Sequence, residues 1–179
     1  MSFRVSRLVR VMLALGGPRP WEMRHLHWDW IDLEERIIEF PAKIMKARVS
    51  HVWPINDLAL GELQLIKALS NGEGYVFPWV RCNRVLKDVP PSKDLIGGNL
   101  RKFIQSEHWG NEGFVPYDVR RTAKTLMGKA GISKEFRDRL QAHALSDVSS
   151  KHYDRYDYLT EKRAAAAQWN DFLTATIGK

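Results

Sequence analysis

The chain has 179 residues, near the size of one domain, and its 44% hydrophobic and 11% aromatic content is enough to bury a core. Against 21 Asp and Glu stand 28 Lys and Arg, a formal charge of +7 that favours a polyanionic partner such as nucleic acid. Cys82 is the only cysteine, which excludes an internal disulfide framework and suits a reducing compartment; the longest unbroken apolar run near the N-terminus, Val11 to Leu15, is too short for a secretion signal or membrane span, so a cytoplasmic protein is expected.

Val5, Leu8, Val9, Met12 and Leu13 recur at helical spacing, and Gly16-Gly17 stops the pattern as a C-cap would. Pro20 suits the first turn of a short second helix, placing Arg19 on a tight turn between two packed elements. From Trp28 to Ile44 apolar residues roughly alternate, and HVWPIN (51–56) is another β-like run. The two flank a basic turn at KIMKARVS, so a small antiparallel sheet is predicted. ALGELQLIKAL (59–69) reads as a helix ending at Asn71-Gly72, and Pro78 to Lys93 as a turn-rich stretch. Ser92 caps a further helix that contains Gly97-Gly98. Helices are then expected over 117–131, over 133–143 with Ser133 as cap, from about Asp147, and over 161–173, where Ala164, Ala165, Trp169 and Phe172 are available for packing. The expected class is mainly α (α+β), with one small three-stranded antiparallel sheet.

The six histidines do not suggest a metal centre, because His25 and His27 point to opposite sides of a helix and no HxxxH, CxxC or carboxylate cluster occurs. Serine-hydrolase, phosphate-loop and dinucleotide patterns are also missing, so no cofactor is implied. What remains is a dispersed set of basic residues, Arg19, Lys46, Arg120 and His143, followed by Tyr153, Tyr156 and Tyr158.

Five stretches occur in a telling order: GGPRPWEMRHLHWDWID, MKARVSHVWPI, YDVRRTAKTLM, LQAH and HYDRYDYL. They resemble, respectively, the first arginine box, the β-hairpin lysine and following strand, the second arginine box, the late histidine and the nucleophile segment of the tyrosine recombinases, or phage-integrase family. The resemblance implies a catalytic domain over 1–179, with the family's arm-binding and core-binding domains upstream of this stretch, so a fragment of a longer integrase is expected. It also implies a site-specific DNA strand-transferase working on double-stranded DNA at attachment or core sites through a 3′-phosphotyrosine, without metal. The implied setting is a prophage or mobile element. The neighbouring readings are a type IB topoisomerase and a catalytically impaired DNA-binding relative.

By this resemblance Arg19 and Arg120 hold the scissile phosphate, where two planar, permanently charged forks meet the charge that develops on the non-bridging oxygens. Lys46, eight residues before Pro54, is preferred to Lys43 as the general acid for the leaving 5′ oxygen, and His143 donates a hydrogen bond to the phosphate. Tyr153, ten residues after His143 and aligned by the DRYDYL tail, is the expected nucleophile; Tyr156 falls at a variable position and Tyr158 at a structural one. Arg121 is expected to make a structural or DNA-backbone contact. The sequence departs from the pattern at Tyr117, where a histidine is usual. A phenol can donate to a phosphate oxygen but is a poor proton acceptor at neutral pH, so proton removal from the nucleophile falls to another group such as His143. The segment 161–173 is expected to dock on a neighbouring protomer or back on its own, as part of a synaptic tetramer on DNA.

Overall fold

Helix α1 (Phe3–Ala14) buries Val5, Leu8, Val11, Met12 and Ala14, and its apolar stripe becomes the floor of the domain. The structure, a computed structural model, describes residues 3–70, 72–81, 84–86, 89–106, 113–143 and 157–177. At the end of α1, Gly16 N–H donates to Leu13 O and Gly17 N–H to Met12 O, with both glycines at positive φ (80° and 86°), the paired bonds of a Schellman turn. The short helix α2 (Pro20–Arg24) follows, then a single 3-10 turn (Trp28–Trp30).

Strands β1 (Ile31–Asp32), β2 (Ile37–Phe40) and β3 (His51–Pro54) form the expected antiparallel sheet in the order β1-β2-β3, with Ile38 opposite both Ile31 and Trp53, and Phe40 opposite His51. Helix α3 (Asp57–Ser70) packs on α1. Within the stretch read from sequence as turns, β4 (Trp79–Arg81) and β5 (Arg84–Leu86) pair as a second, two-stranded ribbon. Three residues per strand are too few for alternation to register in a sequence pattern.

Helices α4 (Leu95–Ser106), α5 (Pro116–Lys129), α6 (Lys134–Leu140) and α7 (Leu159–Ile177) complete the described chain. Ser133 caps α6 as expected, its hydroxyl accepting from Phe136 N–H. Gly97 and Gly98 lie inside α4 without breaking it; a Cβ at Gly97 would touch the Pro116 ring, so the small residue lets α4 pack on the start of α5. The helix expected from Asp147 lies outside the described residues.

The core has two clusters. One gathers α1, the sheet and α3; the other gathers Ala123, Met127, Leu140, Ala165, Trp169 and Leu173 from α5, α6 and α7, with Leu13 and Leu58 packed against both. Trp169 and Ala165 are buried as expected, whereas Ala164 is exposed because it sits on the outer face of α7. Helix α7 thus spends its apolar face on its own chain, and Lys162, almost fully buried, fixes it to β3 through Nζ–H to Val52 O at 2.8 Å.

Five consecutive carbonyls at the end of α1 each receive a side-chain donor from a different part of the chain. Trp169 Nε1 donates to Leu13 O (2.9 Å), Asn56 Nδ2 to Ala14 O (2.7 Å), Trp53 Nε1 to Leu15 O (2.8 Å), Gln141 Nε2 to Gly16 O (2.8 Å) and Arg120 Nη1 to Gly17 O (2.8 Å). Carbonyls left over at a helix end need partners once buried, and here side chains from β3, α5, α7 and the connecting turns supply them.

Candidate active site

Arg19 is the N-cap of α2, in extended conformation (φ −67°, ψ 145°), with Pro20 at the first helical position. Glu22, 1% exposed, holds it at two points: one carboxylate oxygen accepts the Arg19 backbone N–H at 2.6 Å and the other accepts Nη1–H at 2.7 Å. The same carboxylate therefore starts the helix and aims the guanidinium. Nη2 reaches Ala142 O at 3.4 Å, across to the turn that follows α6.

Arg120 is 7% exposed on α5 and donates from Nη1 to Gly17 O at 2.8 Å and from Nη2 to Gln141 O at 2.5 Å. A Cβ on Gly17 would lie 2.8 Å from Arg120 Cα, so the α1–α2 turn rests directly on the α5 backbone. Burial, reinforced by the charge of Arg19, lowers the Arg120 pKa to about 10, with Glu22, Tyr117 and Asp138 acting in the opposite sense. It remains a cation at neutral pH. Each of the two guanidiniums spends two N–H groups on acceptors among the described residues, leaving others of its five for an anion.

His143 closes this arc from the turn after α6, its backbone N–H on Asp138 O. Its Nδ1 lies 2.9 Å from Lys124 Nζ and 3.1 Å from Asp138 Oδ1. Burial, Arg120 and Lys124 lower its pKa, and Asp138 opposes them. Tyr117, in the first turn of α5, is half exposed and close enough to Arg120 to act on its charge. Arg121 points outward and pairs with Asp118 at 2.9 Å. His51, on β3, enters from the sheet: Nε2 lies 3.3 Å from Leu140 O and the ring meets Trp53 edge-on. Burial, with Lys162, Arg19 and Arg120 nearby, pushes its pKa down to about 3, so it is neutral.

The structure brings together Arg19, Arg120, His143 and, at the rim, Tyr117. It does not bring Lys46 to them. Lys46 stands exposed in the β2–β3 connection with no hydrogen bond, ion pair or ring contact among the described residues. Its neighbours are held: Lys43 Nζ lies over the Trp30 ring at 5.9 Å, and Arg48 donates to Lys43 O at 3.1 Å. Tyr153 and Tyr156 lie outside the described residues. Tyr158 is at positive φ (55°) with the Arg139 guanidinium 3.4 Å over its ring, a packed position that matches its structural reading.

No family model matches the chain. It is 28% identical over 171 residues to the prophage integrase IntA of Escherichia coli K12, a match covering 95% of this chain. Its fold is similar to that of the integrase from mycobacterium phage Brujita, with a TM-score of 0.69 at 14% identity over 94% of this chain and 53% of that one. The chain thus resembles the prophage integrases in sequence and shares its fold with tyrosine recombinases. The chain spans 39% of the length of IntA. It is also similar in fold to the Tn1549 transposon integrase, solved in complex with circular intermediate DNA, with a TM-score of 0.57 at 16% identity over 90% of this chain and 56% of that one.

Sequence reasoning missed Glu22, His51, Lys124, Asp138 and Gln141. Two of them carried a signal: Glu22 stands three residues after the N-cap, where a carboxylate returns to the cap N–H, and Lys124 stands four after Arg120, on the same helix face. Gln141 and His51 act through backbone carbonyls distant in sequence, and such partners leave no local pattern.

Proposed function

We propose that this domain cleaves and rejoins DNA strands at specific sites through a 3′-phosphotyrosine intermediate, without a metal ion. The observation that carries the reading is the convergence of Arg19, Arg120 and His143 from three separate elements. Two like charges are held near each other with N–H groups to spare, an arrangement that a bound phosphodiester stabilises. Arg19 and Arg120 take the non-bridging oxygens and His143 donates to the phosphate. The Tyr153 oxygen, its proton passing to solvent, forms a bond to phosphorus while the bond to the 5′ oxygen breaks, and Lys46 protonates that oxygen. Because the phosphotyrosine conserves the energy of the broken ester, a new 5′ hydroxyl can reverse the step. Tyr117 donates to the phosphate at the rim.

DNA as partner is supported by the Tn1549 integrase complex, by the net charge of +7 and by the arginine pair. Strand exchange requires protomers to assemble on DNA, and this chain is proposed to act in such a synaptic complex as the catalytic part of an integrase. A nicked suicide duplex carrying the element's attachment site tests the reading. It should trap a covalent protein–DNA adduct that is lost in Tyr153→Phe and kept in Tyr156→Phe and Tyr158→Phe. An adduct persisting in Tyr153→Phe overturns the assignment.

A further inference from the structure

Lys124, Asp138 and His143 form a cluster on the flank of the arginine pair. Lys124 Nζ lies 2.5 Å from Asp138 Oδ1 and 2.9 Å from His143 Nδ1, and that Nδ1 lies 3.1 Å from the same carboxylate oxygen. An ammonium can only donate and a carboxylate can only accept, so one imidazole nitrogen cannot satisfy both. With a proton on Nδ1, an N–H would face the Lys124 cation at 2.9 Å. With a lone pair there, the two shorter contacts are both hydrogen bonds and only the longest is given up. Asp138 already has its counter-charge in Lys124.

We infer that Lys124, held in place by Asp138, is a positioning residue that donates to His143 Nδ1 and fixes the imidazole as the neutral tautomer protonated at Nε2. The Nε2–H is then a permanent donor for an anion beside Arg120, and the ring is not the base that takes a proton from a nucleophile. The charged groups acting on the ring are consistent with this: Arg120 and Lys124 from α5 disfavour the imidazolium, and Asp138 from α6 opposes them. The use of this donor rests on the strand-transfer reading above; the tautomer does not.

The test is a two-bond proton–nitrogen correlation spectrum of the imidazole-labelled chain at pH 7.5, with His143 assigned through His143→Gln. His143 should show a bare Nδ1 and a protonated Nε2; a protonated Nδ1, or an imidazolium, overturns the inference. Lys124→Met should move the proton to Nδ1, where Asp138 can accept it, and raise the pH at which the ring titrates, while Lys124→Arg keeps the original tautomer. An unchanged tautomer in the methionine variant also overturns it. In the suicide-substrate assay Lys124→Met should slow adduct formation about tenfold to a hundredfold, the value of one hydrogen bond to a charged group, with Lys124→Arg restoring it. The expected spectrum together with no adduct from the full-length protein that contains this domain would sink the strand-transfer reading and leave the tautomer supported.

Discussion

Arg120 and Gln141 hold each other: the guanidinium donates to Gln141 O at 2.5 Å, and the Gln141 side-chain amide donates back to Arg120 O at 3.1 Å and to Gly16 O at 2.8 Å. A fully buried glutamine thus ties α5, the turn after α6 and the end of α1 together behind the site. Replacing it by leucine strips Gly16 O of its donor, although it also removes Gln141 Oε1, which has no hydrogen-bond partner among the described residues. Gln141→Leu should lower stability by about 1–3 kcal/mol in urea titration. Gln141→Glu should cost more, because a buried carboxylate has no proton to give.

Two glycines separate backbone demand from mere flexibility. Gly17 has φ +86° and Arg120 Cα sits 2.8 Å from where its Cβ would be, whereas Gly61, inside α3, has nothing within 4 Å. Gly17→Ala should destabilise by about 1–3 kcal/mol from the strained φ alone, with the displacement of α5 added. Gly61→Ala should stabilise by about 0.5–1 kcal/mol. Thermal melts of the two variants should move in opposite directions.

His51 makes stability depend on pH. Its folded pKa of about 3 lies below its ordinary value of 6.5, so the unfolded chain binds the extra proton between those limits. Its contribution is complete above pH 6.5 and is lost as pH falls toward 3, with a slope of at most about 1.4 kcal/mol per pH unit. Asp138 and His143, both lowered, act in the same direction. In His51→Gln the amide can still donate to Leu140 O, and the slope measured by urea titration from pH 4 to 6.5 should fall by one proton's worth.

Lys46 and Lys43 should part company. Lys46 is exposed and untied, so Lys46→Ala should leave stability within about 0.5 kcal/mol while abolishing adduct formation. A substrate with sulfur in place of the leaving 5′ oxygen needs no general acid and should restore cleavage to that variant. Lys43→Ala should lose only its packing over Trp30 and keep cleavage, with no sulfur rescue. Rescue of Lys43→Ala instead would transfer the role.

The sequence made legible those features that obey a local rule. The helix stop at Gly16-Gly17, the Ser133 cap and the sheet around a basic turn follow from backbone chemistry within a few residues, and all three are present. Arg19 and Arg120 were legible as a pair only by resemblance, since no periodicity relates residues so far apart. What holds them, Glu22 aside, was not legible, because Gln141 and Gly17 act on backbone atoms brought near by the fold. The β4–β5 ribbon escaped for a simpler reason, its brevity.

The five capped carbonyls from Leu13 to Gly17 have a consequence for how the molecule assembles. Their donors lie 156, 42, 38, 125 and 103 positions along the chain. Contacts of such sequence separation are slow to close and reward the chain only late in folding. Arg120 is one of those donors, so the paired cations come into register only when both ends of the polypeptide have docked. Native-state hydrogen exchange at the Gly16 and Gly17 amides should therefore proceed by global opening rather than by local fraying, and a partly folded chain would lack the arginine pair proposed to hold the phosphate.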